Sequence, residues 1–184
     1  MTRHRSRQKF GRQIKLKPIE VMTTKAKPIP DGFHTITPYL SVKNGAQAIE
    51  FYKKAFGAQE RYRLPMGPDK IGHSELVIGN SIFMLADEFP EHGSKSPQSL
   101  NGSPVGLALY VENVDQAFDR AIKAGATVKE PVSDKFWGDR AGSLTDPFGH
   151  KWTLLTHIED VSPDEMKRRM EKLFPPNGAK SKPA

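Results

Sequence analysis

Two side chains that could do chemistry lie two residues apart in the first half of the chain. His73 and Glu75 fall within the run IGHSELVIG, and residues i and i+2 of a β-strand face the same side of a sheet. The pair could contact a ligand, take part in acid–base chemistry or supply two ligands to a metal ion. It is also an ordinary hydrogen-bonding pair for a solvated sheet face. We expect His73 and Glu75 to contact a ligand, and we keep Glu75 as a candidate catalytic residue.

The segment FWGDR, residues 136–140, combines an aromatic ring with a fixed positive charge. Trp137 could stack on a planar ligand, and Arg140 could bind a carboxylate or phosphate through two parallel hydrogen bonds. In the structural alternative, Asp139 neutralises Arg140 and Trp137 covers the edge of the core. We carry Trp137 and Arg140 forward as ligand-binding candidates.

His157 and the pair Asp87 and Glu88 fall at the ends of strand-like runs. A neutral histidine near pH 7 can act as a base, so His157 is a second catalytic candidate as well as a ligand-binding one. The alternative is a surface hydrogen-bond network with Glu159 and Asp160. Asp87 and Glu88 could do acid–base work together, but neighbouring strand residues point to opposite sides, which speaks against a shared role.

Several common chemistries find no support in the sequence. The chain contains no cysteine, which excludes disulfides and thiolate metal sites. It contains no phosphate-binding loop, dinucleotide fingerprint, serine-hydrolase elbow or His-Glu-x-x-His helix. No apolar run approaches the roughly 18 residues that span a bilayer, and no signal-peptide segment follows the basic start. We expect a cytoplasmic protein without a membrane partner.

The positive charge of the chain is concentrated at its two ends. Residues 1–21 carry +6 and residues 167–184 carry +5, whereas the whole chain carries +7, which leaves −4 for residues 22–166. A mildly acidic body does not favour nucleic acid as a partner. The basic start has three interpretations: a transit peptide, an arm for nucleic acid or anionic surfaces, and a disordered extension upstream of a true start at Met22. We expect disorder for residues 1–31 and 175–184.

An internal repeat organises the rest of the chain. LSVKNGAQAIEFYKKAFGA, residues 40–58, matches LYVENVDQAFDRAIKAGA, residues 109–126, at an offset of 69 positions. Each copy predicts a strand, an asparagine cap, an amphipathic helix and a glycine near the helix end. Strand patterns follow each helix: residues 59–65, 71–79 and 81–86 in the first half, and 127–131, 139–146 and 150–157 in the second.

This order predicts an α+β fold of two tandem βαβββ units, about residues 34–88 and 104–158, that form a curled mixed sheet around a cleft in a domain spanning 32–160. Residues 87–103 join the units and could be a lid or the hinge of a strand exchange. SPDEMKRRMEKLF predicts a C-terminal helix within 161–174, capped by Ser162. Its apolar stripe could pack on its own sheet or clasp a second copy.

The βαβββ repeat, together with FYKKAFGA, FWGDRAGSLTDPFGHKW and THIEDVSPDEM, resembles the vicinal oxygen chelate superfamily of glyoxalases, bleomycin-resistance proteins and extradiol dioxygenases. Within it, these motifs resemble the PhnB-like branch. The resemblance covers roughly residues 32–170. It implies a cleft-forming fold, often a dimer and often a divalent metal. It does not imply one reaction, because the superfamily includes lyases, epimerases, dioxygenases, transferases and binding proteins.

The resemblance also implies where a metal would bind: a His, Gln or Glu facing inward on the first and last strand of each unit. By residue-by-residue comparison these positions hold Thr37, Phe83, Gly106 and Thr153. Glycine and phenylalanine cannot coordinate a metal, and neutral threonines are poor ligands. We therefore expect no metal and no other cofactor, and we expect Phe83 to form a wall of the cleft.

We expect a protein that binds a small organic molecule in a cleft between the units, and the sequence leaves open whether it also catalyses a reaction. The alternative is a lyase, isomerase or dioxygenase whose metal is held by His73, Glu75 and His157. We expect a homodimer, in which strand exchange at residues 87–103 would build two equal clefts. The ligand-binding residues are expected to be Thr37, Tyr39, His73, Glu75, Phe83, Tyr110, Trp137, Arg140, Thr153 and His157.

Overall fold

A computed structural model of the chain describes residues 26–175. The predictions for the basic extension before residue 26 and for the tail after residue 175 lie outside this range. Within residues 26–175, every helix is too short or too polar to cross a membrane.

Two βαβββ units follow one another, as the repeat predicts. The first comprises β1 (Tyr39–Val42), α1 (Gly45–Phe56), β2 (Gln59–Met66), β3 (Lys70–Ile78) and β4 (Ser81–Asp87). The second comprises β5 (Gly106–Tyr110), α2 (Val114–Lys123), β6 (Thr127–Asp134), β7 (Asp139–Thr145) and β8 (Lys151–His157), followed by α3 (Pro163–Leu173). Each unit forms a four-stranded mixed sheet, in the orders β1-β4-β3-β2 and β5-β8-β7-β6. The predicted α+β fold of tandem units with a C-terminal helix is confirmed.

Polar caps begin the three helices where the sequence predicts them. The side chains of Asn44, Asn113 and Ser162 each accept a hydrogen bond from the backbone N–H three residues further on. These bonds satisfy donors that the first turn of a helix leaves without a partner. Gly57 ends α1 at a φ of 69°, a left-handed conformation that glycine adopts without a steric penalty.

The two units pack through their helices, and no strand of one sheet is hydrogen-bonded to the other sheet within the described residues. α1 and α2 contact each other, and each covers one face of its own sheet. A single apolar cluster runs through both units and includes Tyr52, Phe83, Phe118 and Trp152. We call the sheet surfaces that meet this cluster the helix-packed faces, and the opposite surfaces the open faces. The predicted curled sheet is therefore two sheets joined through their helices.

A buried carboxylate joins the units within this cluster. Asp146 is 3% exposed and accepts hydrogen bonds from the Tyr52 hydroxyl at 2.8 Å and from the Trp152 indole N–H at 2.9 Å. It also accepts from the backbone N–H groups of Phe148 and His150. Burial, reinforced by the Asp146 carboxylate, raises the pKa of Tyr52 well above its ordinary value, so the hydroxyl stays a donor. Because Tyr52 belongs to α1, its bond ties the first unit to the second.

The β3–β4 hairpin decides which side chains reach each face of the first sheet. Its two-residue turn pairs Ile78 with Ser81, so Phe83 lies opposite Leu76. Phe83 and Leu76 are both buried on the helix-packed face. The prediction that Phe83 faces the same side of the sheet as Tyr39, His73 and Glu75 is therefore wrong.

Asp87, at the end of β4, has a structural role. Its carboxylate accepts hydrogen bonds from the backbone N–H of Gly45 at 3.0 Å and of Ile71 at 2.7 Å, and it is 5% exposed. It thereby fastens α1 and β3 to the end of β4. A Cβ on Gly45 would lie 2.9 Å from the same carboxylate, so this close approach requires glycine.

The joint between the units, residues 87–103, is held to both of them. Burial opposes ionisation of Glu88, but hydrogen bonds from Ser96 and Ser99 outweigh it and lower the pKa of Glu88 to about 2. Gln98 donates a side-chain N–H to a backbone carbonyl in the turn before β8, at 2.9 Å. These contacts attach the joint to its own chain, and the lid and the exchange hinge stay predictions.

The helix α3 lies on the surface, and none of its residues is buried. Arg169 anchors it by binding the Glu159 carboxylate and the Phe136 carbonyl oxygen. Leu173 and Phe174 are 52% and 67% exposed, so the apolar stripe does not pack on its own sheet. The alternative, that the stripe clasps a second copy, stays a prediction.

Candidate functional site

The open face of the first sheet brings three predicted site residues together. The Tyr39 hydroxyl lies 3.0 Å from Nδ1 of His73, and Nε2 of His73 lies 3.7 Å from the Glu75 carboxylate. That carboxylate also lies 3.4 Å from the guanidinium of Arg61 on β2. Tyr39 and Glu75 share one side of the sheet because each pairs with Met84 of β4. Partial burial raises the pKa of Tyr39, so its hydroxyl keeps its proton, and the tautomer of His73 decides which of the two groups donates.

The open face of the second sheet is organised around the carboxylate of Asp139. Oδ2 accepts hydrogen bonds from the Tyr110 hydroxyl at 3.1 Å and the Trp137 indole N–H at 2.9 Å, and Oδ1 lies 2.9 Å from Nδ1 of His157. Asp139 is 4% exposed, whereas Tyr110 is 62% exposed and the His157 side chain 53%. A hidden carboxylate therefore orients side chains that a ligand can reach. We call these four residues the Asp139 cluster.

The protonation states in the Asp139 cluster follow from these bonds. Burial opposes ionisation of Asp139, but hydrogen bonds from His157, Trp137 and Tyr110 outweigh it, so the pKa of Asp139 is lowered. Hydrogen bonds to Asp139 and Asp160 raise the pKa of His157, and the bond to Asp139 raises the pKa of Tyr110. The cluster thus favours an imidazolium and a neutral phenol. Asp160 is fully exposed, so a ligand anion could replace it at Nε2 of His157.

A glycine turn and α3 fix the position of the Asp139 cluster. Gly138 adopts a φ of 97°, and its carbonyl accepts the backbone N–H of Glu159. A Cβ on Gly138 would lie 2.1 Å from the Glu159 carbonyl oxygen, so only glycine fits. Arg169 of α3 binds the Glu159 carboxylate at 2.6 and 2.8 Å and the Phe136 carbonyl oxygen at 3.2 Å. The C-terminal helix therefore holds the turn that presents the cluster.

The two predicted threonines already have partners within the chain. Thr153 lies on the open face of the second sheet, where its hydroxyl is 3.2 Å from that of Ser143. Thr37 precedes β1 and donates its hydroxyl to the His34 carbonyl at 3.1 Å. Both are half-buried, so each could offer a hydroxyl to a ligand only by exchanging its present hydrogen bond.

Arg140 lies on the helix-packed side of β7, opposite to the Asp139 side chain. Neighbouring residues of a strand alternate, and Arg140 pairs with Thr156 whereas Asp139 pairs with His157. Asp115 of α2 binds the guanidinium through two hydrogen bonds at 2.7 and 2.8 Å, and Asp134 of β6 binds it at 2.8 Å. Contrary to the prediction, Arg140 ties β7 to α2 and β6, and it does not neutralise Asp139 either.

The two groups of site residues lie on different sheets. Between residues 26 and 175, no hydrogen bond, ion pair or ring contact joins the group of Tyr39, His73 and Glu75 to the Asp139 cluster. The alternative metal ligands are therefore on different sheets: His73 and Glu75 on the first, and His157 on the second. Across the described residues, no three His, Cys, Asp or Glu side chains converge well enough to hold a metal ion.

The strand positions that hold a metal in the enzymes this chain resembles carry none of the usual ligands here. Because Phe83 points to the helix-packed face, its neighbours Ile82 and Met84 lie on the open face of β4. The positions then hold Thr37, Ile82, Met84, Gly106 and Thr153. Two hydroxyls and a thioether do not fit a divalent metal that prefers imidazole and carboxylate.

The pairing of β7 with β8 indicates the role of Asp139, which the sequence analysis did not identify as a site residue. The turn before β8 pairs Thr145 with Lys151, and counting outward from that pair sets Asp139 opposite His157. Paired residues of neighbouring strands point to the same face. The register therefore predicts the contact between this carboxylate and imidazole without any knowledge of the tertiary structure.

Known proteins are similar to this chain in sequence and in fold. Protein Mb0911c of Mycobacterium bovis is 46% identical over 139 residues, which cover 73% of this chain and 91% of that protein. Two solved structures are also similar: TioX from Micromonospora sp. ML1, at 27% identity and a TM-score of 0.53, and the Arabidopsis thaliana At5g48480 protein, at 30% identity and 0.55. These matches cover 67% and 66% of this chain and 98% of each of the two structures.

A family model identifies the superfamily. Residues 32–154 match the Glyoxalase/Bleomycin resistance protein/Dioxygenase superfamily, and this range contains both sheets apart from the last residues of β8. The match agrees with the βαβββ topology, the helix-packed core and the motifs that carry the resemblance. The chain belongs to the glyoxalase/bleomycin resistance protein/dioxygenase superfamily.

Proposed function

We propose that this protein binds a small, planar, anionic organic molecule on its open sheet faces, without a metal ion, as a binding protein of the PhnB-like branch. The observation that carries the proposal is the Asp139 cluster, in which a buried carboxylate holds an exposed imidazole, a phenol and an indole on one face. Aromatic rings offer contact area to a flat molecule, and one charged group can fix its orientation.

His157 supplies the charge that recognises the ligand. Its Nδ1 stays bonded to Asp139, which orients the ring and raises its pKa. Its Nε2 is engaged by Asp160, and an ion pair this exposed contributes little stability. An acidic group on a ligand can therefore take the place of Asp160 at little cost. The Tyr39, His73 and Glu75 group offers further donors and acceptors on the other sheet.

A homodimer would bring the two groups into one cleft. Tyr39, Tyr62 and Leu64 on the first open face are 52%, 49% and 50% exposed, and Tyr110 on the second is 62% exposed. Apolar and aromatic surface of this kind favours burial against a partner. The first sheet of one copy facing the second sheet of the other, under twofold symmetry, gives two equal clefts. Because the open faces lie opposite the helix-packed faces, this assembly requires no opening of residues 87–103.

Titration with naphthalene-2-carboxylate tests the proposal, with binding followed by the indole N–H resonance of Trp137. We expect saturable binding that EDTA leaves unchanged and that His157→Gln weakens. Lys151→Gln removes an exposed charge at the other end of β8 and should leave the affinity unchanged. Equal affinities of these two variants would reject the Asp139 cluster as the site. Stoichiometric zinc, nickel, iron or manganese that is lost with Glu75→Ala would support the metal-dependent enzyme instead.

A further inference from the structure

A cavity of about 740 Å³ lies between the two units. It is bounded by the β3–β4 hairpin, the segment 34–38, the edge of β5 and the start of α2. Small-molecule sites commonly enclose roughly 300–1,000 Å³. Its wall includes Phe83, Leu109 and Trp152, which belong to the helix-packed faces. The cavity therefore differs from the open faces of the proposed function, although Tyr110 reaches its rim.

A fixed positive charge lines this cavity. Arg120 of α2 is exposed at its wall. Within residues 26–175 it forms no ion pair, whereas carboxylates bind Arg61, Arg63, Arg140, Arg168 and Arg169. A guanidinium beside an apolar wall is suited to a carboxylate or sulfonate that is attached to an apolar body.

The edge of β5 adds backbone groups to the same cavity. β5 pairs only with β8 among the described strands, and the N–H of Val111 donates to the Leu155 carbonyl. Parallel pairing alternates along a strand, so the N–H and C=O groups of Ala108 and Tyr110 point towards the unpaired edge. Both residues line the cavity. A ligand held there meets donors and acceptors as well as apolar rings.

We propose that this inner cavity is a second ligand site, for a molecule with an apolar or aromatic body and one anionic end group bound by Arg120. Phe83, Leu109 and Trp152 form the surface for the body, and the edge of β5 offers further hydrogen bonds. The site shares Tyr110 with the Asp139 cluster, but Arg120 and Trp152, which would hold the anionic end and the body of the ligand, take no part in that cluster.

The two tryptophans of the chain distinguish the two sites. Trp152 lines the cavity and Trp137 belongs to the Asp139 cluster, and in ¹⁵N-labelled protein each indole N–H gives its own resonance, assigned with Trp137→Phe. Naphthalene-2-carboxylate should shift the Trp152 resonance saturably. Arg120→Gln should weaken that binding about fivefold, as for a partly exposed ion pair, and should leave the neutral carboxamide unaffected. Lys123→Gln, on the same helix but away from the cavity, is the matched control.

The variant Ser81→Phe provides a second test. The fold should tolerate this substitution, because Ser81 is an exposed residue of the hairpin at the cavity wall. The larger side chain should weaken binding of both the carboxylate and the carboxamide at Trp152. The second site is overturned if the Trp152 resonance does not move, if Arg120→Gln and Lys123→Gln bind equally, or if Ser81→Phe changes neither affinity. Failure of the open-face proposal is a separate result, since it is measured at Trp137 and depends on His157.

Discussion

Replacing Tyr52 by phenylalanine should lower the free energy of unfolding by about 1.5–3 kcal/mol. Tyr52 is fully buried, and its hydroxyl donates to the Asp146 carboxylate across the boundary between the units at 2.8 Å. A hydrogen bond to a charged group contributes about 1.5–3 kcal/mol. The ring itself is retained, and Asp146 keeps its bonds from Trp152 and from two backbone N–H groups, so no large cavity or orphaned charge adds to the loss.

Urea denaturation followed by circular dichroism measures this loss, and thermal unfolding should show a decrease of about 3–12 °C for a chain of this size. Tyr62→Phe is the matched control, because Tyr62 is 49% exposed on the open face and its hydroxyl has no hydrogen-bond partner in residues 26–175. If the two variants unfold at the same denaturant concentration, the bond between Tyr52 and Asp146 does not join the units as described here.

Four further predictions concern the charged groups. Asp139→Asn should lower the pKa of His157, measured from the imidazole proton resonances, and an unchanged pKa would contradict the role of Asp139. The pKa of His157 is raised in the folded state, so the stability that protonated His157 contributes is complete below about pH 6.5 and is lost as the pH rises through the folded-state pKa. The difference in unfolding free energy between the unaltered protein and His157→Gln should therefore shrink as the pH rises above about 6.5. Glu88 has the opposite sign, with a pKa of about 2, so the stability it contributes relative to Glu88→Gln should be lost as the pH falls from about 4.5 towards 2. Arg169→Ala should broaden the Trp137 indole resonance by releasing the turn before β7, whereas Arg168→Ala, whose side chain is 74% exposed, should not.

Most of the fold could be predicted because its signals are local. The repeat at an offset of 69 positions, the asparagine caps and the two-residue hairpin turn each specify an element through neighbouring residues. Such signals depend on backbone hydrogen bonds and steric limits that act within a few positions. The observed strand and helix limits accordingly lie close to the predicted ones.

The two faces of β4 were harder to predict, because polar and apolar residues do not alternate along this strand. Residues 82–86 are all apolar, and four of the five are buried on one side or the other. A strand covered on both sides does not show the period of two that distinguishes its faces. Phe83 was therefore assigned to the wrong side, although the hairpin pairs it with Leu76 and thereby indicates the correct one.

Partners of charged side chains could not be predicted from spacing along the chain. Arg140 binds Asp115, which is 25 residues away on α2, although Asp139 is its direct neighbour. A helix packed across a sheet brings such residues together, and a sequence pattern does not indicate which of several acids will be in reach. The same limit hides the place of Arg120 at the cavity wall, which only the three-dimensional structure shows.

A crystal structure of the protein purified without chelator and crystallised with naphthalene-2-carboxylate tests the proposed open-face site most directly. We expect the naphthalene ring to lie against Trp137, its carboxylate to bind Nε2 of His157 in place of Asp160, and no metal ion to bind on either open face. A divalent ion bound by His73 or Glu75, or an open face that the ligand leaves empty at saturation, would contradict it.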